Sequence, residues 1–413
     1  MTDHDIQPDK YSELRSICKY YIDSYIALYQ LKTEKEEELN SIYQMIKTEL
    51  IDSKIKFPQN IIRDILNIIP YNNRYAKSYF FLAKLVSDEY HVKKVNNVVL
   101  ISNFLFYKEY VIKLNISWDF KQINIFNLNR LSENTIHRAI MHNDKESLIS
   151  FTERDGFNEG QLIASHCYPY SFMAYSLLEL CCYYGSVDCF KLLRTKFNSK
   201  ITERCLHLSF LGGNPEIMSE CLKYQKPDFE CMMFAIISHN IDFVTFLMNE
   251  YNIKIDLEYC GKFNNLDAFL VYYDQTNDIQ GCFAYSIKFG IPSLCEYFLL
   301  HGANIDENYK YEGTALQIAA RNNSKEITGV LLLHGANVNK KEFYGYTVLH
   351  YAAINNCTEI AELLISYGAN VNEKINKGET ALDLAIDNNS KETAELLISY
   401  GAKNNDPTHD GSL

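Results

Sequence analysis

Histidines and cysteines are the residue types in this sequence that could support metal binding or nucleophilic catalysis. His166 and Cys167, taken with Cys181 and Cys182, could form a metal cluster or a Cys/His catalytic pair. Cys181, however, falls in a column of small residues that recurs along the chain, described below. A free cysteine commonly behaves as a small buried hydrophobic residue. We therefore expect these cysteines to be structural.

The other histidines lack the spacing of metal ligands. His137 and His142 are five residues apart, so they do not share a helix face as ligands at i and i+4 do. His301 and His334 precede glycines at expected helix ends, where positive charge is favoured. The sequence contains no phosphate-binding glycine loop, nucleophile elbow, Cys-x-x-Cys or His-Glu-x-x-His. It therefore predicts no catalytic, cofactor-binding or metal-binding residues, and no enzyme.

Composition narrows the class of protein further. The 413 residues provide material for two or three domains, and 47% are hydrophobic, a globular proportion. A net charge of −12 disfavours nucleic-acid binding. The longest nearly apolar stretch, residues 98–107, is shorter than the roughly 20 residues of a membrane span. Without a recognisable signal peptide, the twelve cysteines predict free thiols in the cytoplasm or the nucleus.

An internal repeat decides the expected architecture. Glycines recur every 33 residues at Gly302, Gly335, Gly368 and Gly401. Threonines recur with the same period at Thr314, Thr347 and Thr380, where they open Thr-Ala-Leu-Gln-Ile-Ala-Ala, Thr-Val-Leu-His-Tyr-Ala-Ala and Thr-Ala-Leu-Asp-Leu-Ala-Ile. Over residues 302–400 this pattern resembles the ankyrin repeat, with its 33-residue unit and Thr-Pro-Leu-His-x-Ala signature. The resemblance implies helix pairs joined by loops called fingers, with His350 in the signature position bonding within and between units.

Degenerate copies of the unit continue upstream in two aligned columns. One column, between the helices of each pair, should hold residues that tolerate left-handed backbone: Asn143, Gly185, Gly213, His239, Asn264, Gly290, Asn323, Asn356 and Asn389. The other, on the first helix, is uniformly small: Ala139, Cys181, Ser209, Ala235, Cys260, Ser286, Ala319, Ala352 and Ala385. Most upstream units are too short for a full finger, so we expect full fingers only between the later units.

The first 130 residues show no such period but have helical patterning. Apolar residues at helical spacing form a stripe from Ile22 to Leu50, and further helices are expected at 59–69, 74–90 and 97–114. The segment at Thr33 is either a capping box or the middle of one long helix. We expect this region to cap the first repeat. The whole layout resembles protist ankyrin proteins that have an uncharacterised helical N-terminal region.

The predicted fold is therefore all-α: an ankyrin-repeat solenoid of stacked helix pairs with short finger loops, preceded by a helical N-terminal domain. The expected divisions are 1–130 (helical domain or cap), 131–300 (degenerate, shortened pairs), 301–401 (regular repeats) and 402–413 (flexible tail). The resemblance implies a non-enzymatic adaptor that binds partner proteins through finger tips and the concave face of the first helices. Carried onto this chain, those positions are Tyr309, Tyr311, Lys341, Phe343, Tyr344, Lys374 and Lys377 on fingers, and Arg321, Ile354 and Asp387 on helices.

Three other functions are alternatives to the adaptor. A self-assembling structural protein would use the N-terminal helices and their apolar stripe for oligomerisation, although a monomer is favoured. An enzyme would need an active site within residues 1–130. A membrane-surface role conflicts with the acidic balance. Residues 302–400 carry 8 basic and 13 acidic side chains, which favours a protein partner with a basic patch.

Overall fold

The computed structural model describes residues 10–114, 135–170, 173–309 and 313–403. The chain divides into two compact units, residues 1–272 and 273–413. Apart from one two-stranded sheet, the regular elements of these described ranges are helices. The predicted all-α class is thus confirmed, whereas the boundaries at residues 130, 300 and 401 stay a prediction. Residues 404–413 of the expected flexible tail lie outside the described residues.

Six α-helices occupy the described part of the N-terminal region. They are α1 (Lys10–Ile17), α2 (Lys19–Tyr29), α3 (Glu36–Ile46, continued by the π-helix Lys47–Asp52), α4 (Pro58–Ile68), α5 (Ala76–Glu89) and α6 (Leu100–Tyr110). Pro58 begins α4, a position where its missing N–H costs nothing. At Thr33 neither predicted alternative is correct, because the chain leaves the helix after Tyr29 and α3 begins without a side-chain cap.

Nine helix pairs follow in the described residues. The first five are α7 (Ile136–Met141) with α8 (Lys145–Thr152), α9 (Leu177–Tyr184) with α10 (Val187–Phe197), α11 (Glu203–Gly212) with α12 (Pro215–Leu222), α13 (Phe229–Ile237) with α14 (Ile241–Tyr251), and α15 (Leu257–Lys262) with α16 (Leu266–Thr276). The last four are α17 (Ile279–Phe289) with α18 (Pro292–Leu300), α19 (Ala315–Arg321) with α20 (Lys325–Leu333), α21 (Val348–Ile354) with α22 (Thr358–Ser366), and α23 (Ala381–Asp387) with α24 (Lys391–Ser399).

Both predicted columns are confirmed by the backbone and by burial. All nine residues of the turn column have positive φ, from 52° at His239 to 78° at Gly290. Glycine and asparagine supply this conformation at the lowest steric cost, which explains their recurrence there. The nine small residues on the first helices are all buried. Their small size allows neighbouring helices to approach closely, so the pairs form as the sequence predicts.

The prediction that full fingers occur only between the later units is wrong at one place. The connection from α8 to α9 spans residues 153–176 and contains β1 (Leu162–Ala164) paired antiparallel with β2 (Ala174–Ser176). Tyr175 of β2 is completely buried, and Ser176 caps α9 in a capping box with Glu179. The strand therefore leads directly into the helix start. The connections from α10 to α11, α12 to α13 and α14 to α15 are short, as predicted.

The N-terminal helices line several inter-helix turns of the first unit. They were expected to cap the first helix pair, but their bonds reach the second, fourth and fifth pairs. These bonds run from the Arg74 guanidinium to the Tyr184 carbonyl at 2.8 Å, from the Gln30 amide to the His239 carbonyl at 2.8 Å, and from the Tyr21 hydroxyl to Asn264 Oδ1 at 2.8 Å. Arg74 and Gln30 thus satisfy backbone carbonyls that helix ends and turns leave without partners, whereas Tyr21 bonds the side chain of a turn residue.

The most apolar stretch of the sequence lies partly in α6. Ile101 and Phe104 of this helix are buried in a cluster with Cys167, so part of its apolar surface packs within the first unit. In the part of the chain that the structure describes, no helix combines the length and apolar character needed to cross a bilayer.

Candidate partner-binding surface

The regular repeats begin each first helix with a capping box. Thr314, Thr347 and Thr380 are the N-cap residues of α19, α21 and α23. The backbone N–H of Thr347 donates to His350 Nδ1 at 3.0 Å, while His350 Nε2 donates to the Glu373 carbonyl of the next finger at 3.1 Å. Burial lowers the pKa of His350 to about 4, so the ring is neutral at pH 7. The bonding expected within and between units is therefore present.

A glutamine replaces the signature histidine one unit earlier without losing these bonds. Gln317 Oε1 accepts from the Thr314 N–H at 2.8 Å. Its amide nitrogen donates to the carbonyls of Lys340 and Tyr346, both at 3.0 Å. The first helix of this unit is thus bonded to the following finger, which fixes the finger's position.

Successive fingers are also joined to one another. The Asn376 N–H donates to the Tyr344 carbonyl at 3.1 Å, and the Asn376 side chain donates to the Phe343 carbonyl at 3.1 Å. Lys341 Nζ donates to the Lys374 carbonyl at 2.9 Å. These bonds hold the finger tip at residues 343–344 against the next finger. The tip is therefore ordered by its neighbour.

Phe343 and Tyr344 are the most exposed aromatic residues in this part of the second unit. Their side chains are 85% and 65% exposed, and their rings meet edge to face with centroids 5.2 Å apart. Gly345 follows with φ +85°, and a Cβ there would lie 2.8 Å from the Asn376 backbone nitrogen. The sharp turn at glycine thus presents both rings to solvent.

The remaining predicted finger residues differ in their environments. Tyr309 is partly buried, accepts a hydrogen bond from the Gln280 amide at 2.5 Å, and has a pKa raised by burial. Tyr311 lies outside the described residues. Lys374 and Lys377 are exposed, whereas Lys341 pairs with Glu373 at 2.7 Å and lowers the pKa of that carboxyl. Phe343 and Tyr344 therefore form the apolar part of this surface, with lysines around them.

The first helices contribute a second group of side chains. The Arg321 guanidinium lies over the Tyr351 ring, 5.0 Å from its centroid. The Tyr346 ring also stacks on the Tyr351 ring, with centroids 5.4 Å apart. Ile354 is partly exposed and Asp387 is exposed. Arg321 thus lies beside a pair of tyrosines that sequence reasoning missed.

A signal for those two tyrosines was present in the sequence. Tyr351 occupies the variable position directly after the signature histidine, and Tyr346 directly precedes the capping threonine. Both positions flank the junction of finger and first helix. We name the surface formed by Phe343, Tyr344, Tyr346, Tyr351 and Arg321 the aromatic finger surface.

A cavity of about 160 Å³ lies in the first unit between the N-terminal helices and the helix-pair turns. Its lining includes Tyr29, Lys32, Arg74, Tyr184 and Asn240. Ser238 also lines it, and its described lining includes no carboxylate, histidine or cysteine.

Metal-ligating side chains converge elsewhere in the first unit. His207, Asp228 and Cys231 bring their potential ligand atoms within 4.8 Å of one another. The intervals between these residues match no standard zinc motif, so sequence spacing did not reveal the group. By contrast, Cys181 and Cys182 are fully buried on α9, and burial raises the pKa of both thiols.

Comparison with known families matches three successive segments of the chain. Residues 197–272 match a model described as "Domain of unknown function (DUF3447)", residues 283–375 match "Ankyrin repeats (3 copies)", and residues 377–409 match "Ankyrin repeat". The search of curated proteins gave no match. Ankyrin repeats generally mediate protein–protein interactions and are typically non-enzymatic. The C-terminal part of the chain is therefore an array of ankyrin repeats, preceded by a helical region that includes a domain of unknown function.

Proposed function

We propose that this protein is a non-enzymatic adaptor that binds partner proteins through the aromatic finger surface and the adjoining face of the first helices. The observation that carries the proposal is the exposed Phe343–Tyr344 pair on a finger held by bonds to Asn376. Exposed aromatic side chains are unfavourable in water unless they serve an interface, where they are common binding anchors.

The bonds around the pair keep the entropic cost of binding low. Since the finger is already bonded to Gln317 of α19 and to the next finger, little conformational freedom is lost on complex formation. Tyr351 and Arg321 extend the surface with aromatic and cationic groups, both of which are enriched at binding hot spots.

The net charge of the regular repeats favours a particular kind of partner protein. Residues 302–400 carry more acidic than basic side chains, so a partner with a basic patch is favoured. Exposed Lys374 and Lys377 make the neighbourhood of the finger tip a local exception. We propose a partner segment that places an apolar or aromatic group on the tip, with an acidic group opposite these lysines.

The self-assembly alternative rests on the apolar stripe from Ile22 to Leu50. Ile22, Leu39, Ile46 and Leu50 are buried within the first unit, whereas Ile26 and Ile42 are partly exposed. A light-scattering mass that stays at one chain across a wide concentration range would support the adaptor, and a rising mass would support self-assembly.

The redox state of the twelve cysteines provides evidence about the cellular compartment of the protein. All are free thiols and all are buried. This supports the proposal of a reducing compartment, the cytoplasm or the nucleus, since free thiols in this number are unusual in oxidising ones.

The decisive experiment compares proteins captured by the intact chain with those captured by a Phe343→Ser, Tyr344→Ser variant. Tyr367→Ser, Tyr400→Ser is a matched control, because these tyrosines are 43% and 49% exposed at the ends of α22 and α24, away from the finger tips. The finger variant should lose one or a few proteins, with affinity for an isolated partner reduced by about 30-fold or more. An unchanged set of captured proteins, with folding intact, would refute the proposed site.

A further inference from the structure

The first helices of two neighbouring helix pairs in the first unit meet at a histidine. His207 lies on α11, and Asp228 is the N-cap of α13, whose first turn contains Glu230 and Cys231. The Asp228 carboxylate uses Oδ1 to accept the Cys231 N–H at 3.1 Å, as an N-cap should. Its second oxygen, Oδ2, lies 3.0 Å from His207 Nε2. The cap thus brings a carboxylate and a thiol to the same imidazole.

Both nitrogens of the His207 ring face carboxylates. Nδ1 lies 3.1 Å from Glu230 Oε2, on the opposite edge from Asp228. A neutral imidazole has one N–H and one lone pair. If the Nδ1–H donates to Glu230, the lone pair of Nε2 faces Asp228 Oδ2. Two lone pairs repel each other, so this contact is favourable only when a cation or a proton lies between Nε2 and Oδ2.

We propose that His207 Nε2, Asp228 Oδ2 and Cys231 Sγ bind a zinc ion. One potential ligand atom from each of the three residues lies within 4.8 Å of the others, and Nε2 lies 3.0 Å from Oδ2. Together the residues provide nitrogen, oxygen and sulfur, the donor set that zinc accepts. The His207 side chain is 9% exposed and Cys231 is fully buried, whereas the Asp228 side chain is 49% exposed. The site therefore opens to solvent on the Asp228 side, where a water molecule or an external ligand completes the tetrahedron.

Glu230 and Tyr170 supply the outer contacts that zinc-bound histidines characteristically have. Glu230 holds Nδ1 and so presents Nε2 to the metal, the carboxylate–histidine–zinc arrangement. The Tyr170 hydroxyl donates to Glu230 Oε2 at 2.7 Å and fixes that carboxylate in turn. Glu230 is thus a positioning residue, acting through His207.

The ligand atoms need only a small rearrangement. Zinc bonds of about 2.0–2.3 Å place ligand atoms about 3.5 Å apart in a tetrahedron. Because the potential ligand atoms already lie within 4.8 Å of one another, metal binding requires movements of on the order of 1 Å. Burial raises the pKa of the Cys231 thiol, so metal binding releases its proton.

Such an ion would join two consecutive helix pairs of the first unit. It would connect α11 to α13, within the segment 197–272 that matches the domain of unknown function. Because the unfolded chain does not hold these ligands together, zinc would stabilise the folded form. This inference is independent of the proposed adaptor function.

The test uses the untagged full chain, freed of metal with a chelator and titrated with Zn²⁺ in competition with a chromophoric chelator. Co²⁺ serves as a spectroscopic probe, because cobalt thiolates show a near-ultraviolet charge-transfer band. We expect one metal ion per chain, a thiolate–cobalt band, and a higher melting temperature with zinc.

Variants assign the ligands. Cys231→Ala should abolish the thiolate band, whereas Cys357→Ala should keep it, since that buried thiol contacts the Ala320 and Asn355 carbonyls instead. Asp228→Asn retains the helix cap and should still weaken zinc binding, which keeps the test valid if Cys231→Ala misfolds. Glu230→Gln should lower affinity by about 10- to 100-fold. Failure of the full chain to bind zinc, or a cobalt spectrum without the thiolate band, would overturn the proposal.

Discussion

Tyr29 stacks on His239, with ring centroids 4.1 Å apart and an interplanar angle of 20°. Through this contact α2 of the N-terminal region packs on the inter-helix turn of the fourth helix pair. His239 Nε2 also donates to the Phe263 carbonyl of the fifth pair at 2.9 Å. A single imidazole therefore joins the N-terminal helices to two helix pairs of the first unit.

The burial of His239 predicts acid sensitivity of the first unit. Burial lowers the pKa of His239 to about 3, whereas the unfolded ring titrates near 6.5. Below pH 6.5 the unfolded state binds a proton that the folded state does not, so stability falls as pH falls toward 3. We expect this residue to account for a loss of about 1 kcal/mol between pH 6.5 and 5.5.

Urea unfolding of the full chain at these two pH values measures the loss. His239→Asn is the matched variant, because asparagine tolerates the positive φ of 52° at this position and does not titrate. In this variant the free energy of unfolding should fall by about 1 kcal/mol less between pH 6.5 and 5.5 than in the unaltered chain. If the free energy of unfolding changes equally with pH in the two proteins, His239 is not the titrating group.

The turn column gives a second prediction that separates backbone strain from side-chain bonding. Asn389 has φ 55° and Asn356 has φ 52°. Replacing Asn389 with glycine should be nearly neutral, whereas alanine should cost about 1 kcal/mol because it resists this conformation. Asn356→Gly should cost more than Asn389→Gly, since the Asn356 side chain bonds Glu392 and Thr393 of the next pair. Thermal unfolding of the three single variants tests the order; equal costs for glycine at both sites would contradict it.

The sequence predicted those turns because they depend on local backbone conformation. A residue such as Asn389 must adopt positive φ whatever surrounds it, and that requirement appears as a recurring residue type. The placement of the N-terminal helices is different, since contacts such as Tyr21 with Asn264 join positions 243 residues apart. No period or motif marks them. The same holds for His207 with Asp228 and Cys231, and for the exposed Phe343, whose surroundings depend on the next finger.

The exchange of histidine and glutamine in the capping boxes gives a third prediction. Gln317 and His350 make equivalent bonds to their own threonine and to the next finger. His350→Gln should therefore cost less than about 1 kcal/mol. His350→Ala leaves the Thr347 N–H and the Glu373 carbonyl without these partners and should cost about 2 kcal/mol. Denaturant unfolding measures both values, and a glutamine variant as unstable as the alanine variant would refute the equivalence.

The fourth prediction connects finger geometry to binding. Gly345 and Gly368 have nearly equal φ values, +85° and +86°, so alanine introduces the same backbone strain at both positions. At Gly368 the added methyl group meets nothing within 4 Å, but at Gly345 it lies 2.8 Å from the Asn376 backbone nitrogen. Gly345→Ala must therefore also displace the finger tip that carries Phe343 and Tyr344.

Both variants should lose stability through the same backbone strain, and Gly345→Ala should lose more because of its clash with Asn376. Only Gly345→Ala should weaken capture of the proteins lost by the Phe343→Ser, Tyr344→Ser variant. The comparison separates loss of binding through a displaced tip from loss through general destabilisation, because Gly368→Ala carries the strain without the displacement. If Gly368→Ala weakens capture equally, binding depends on the stability of the repeats and not on the position of the tip.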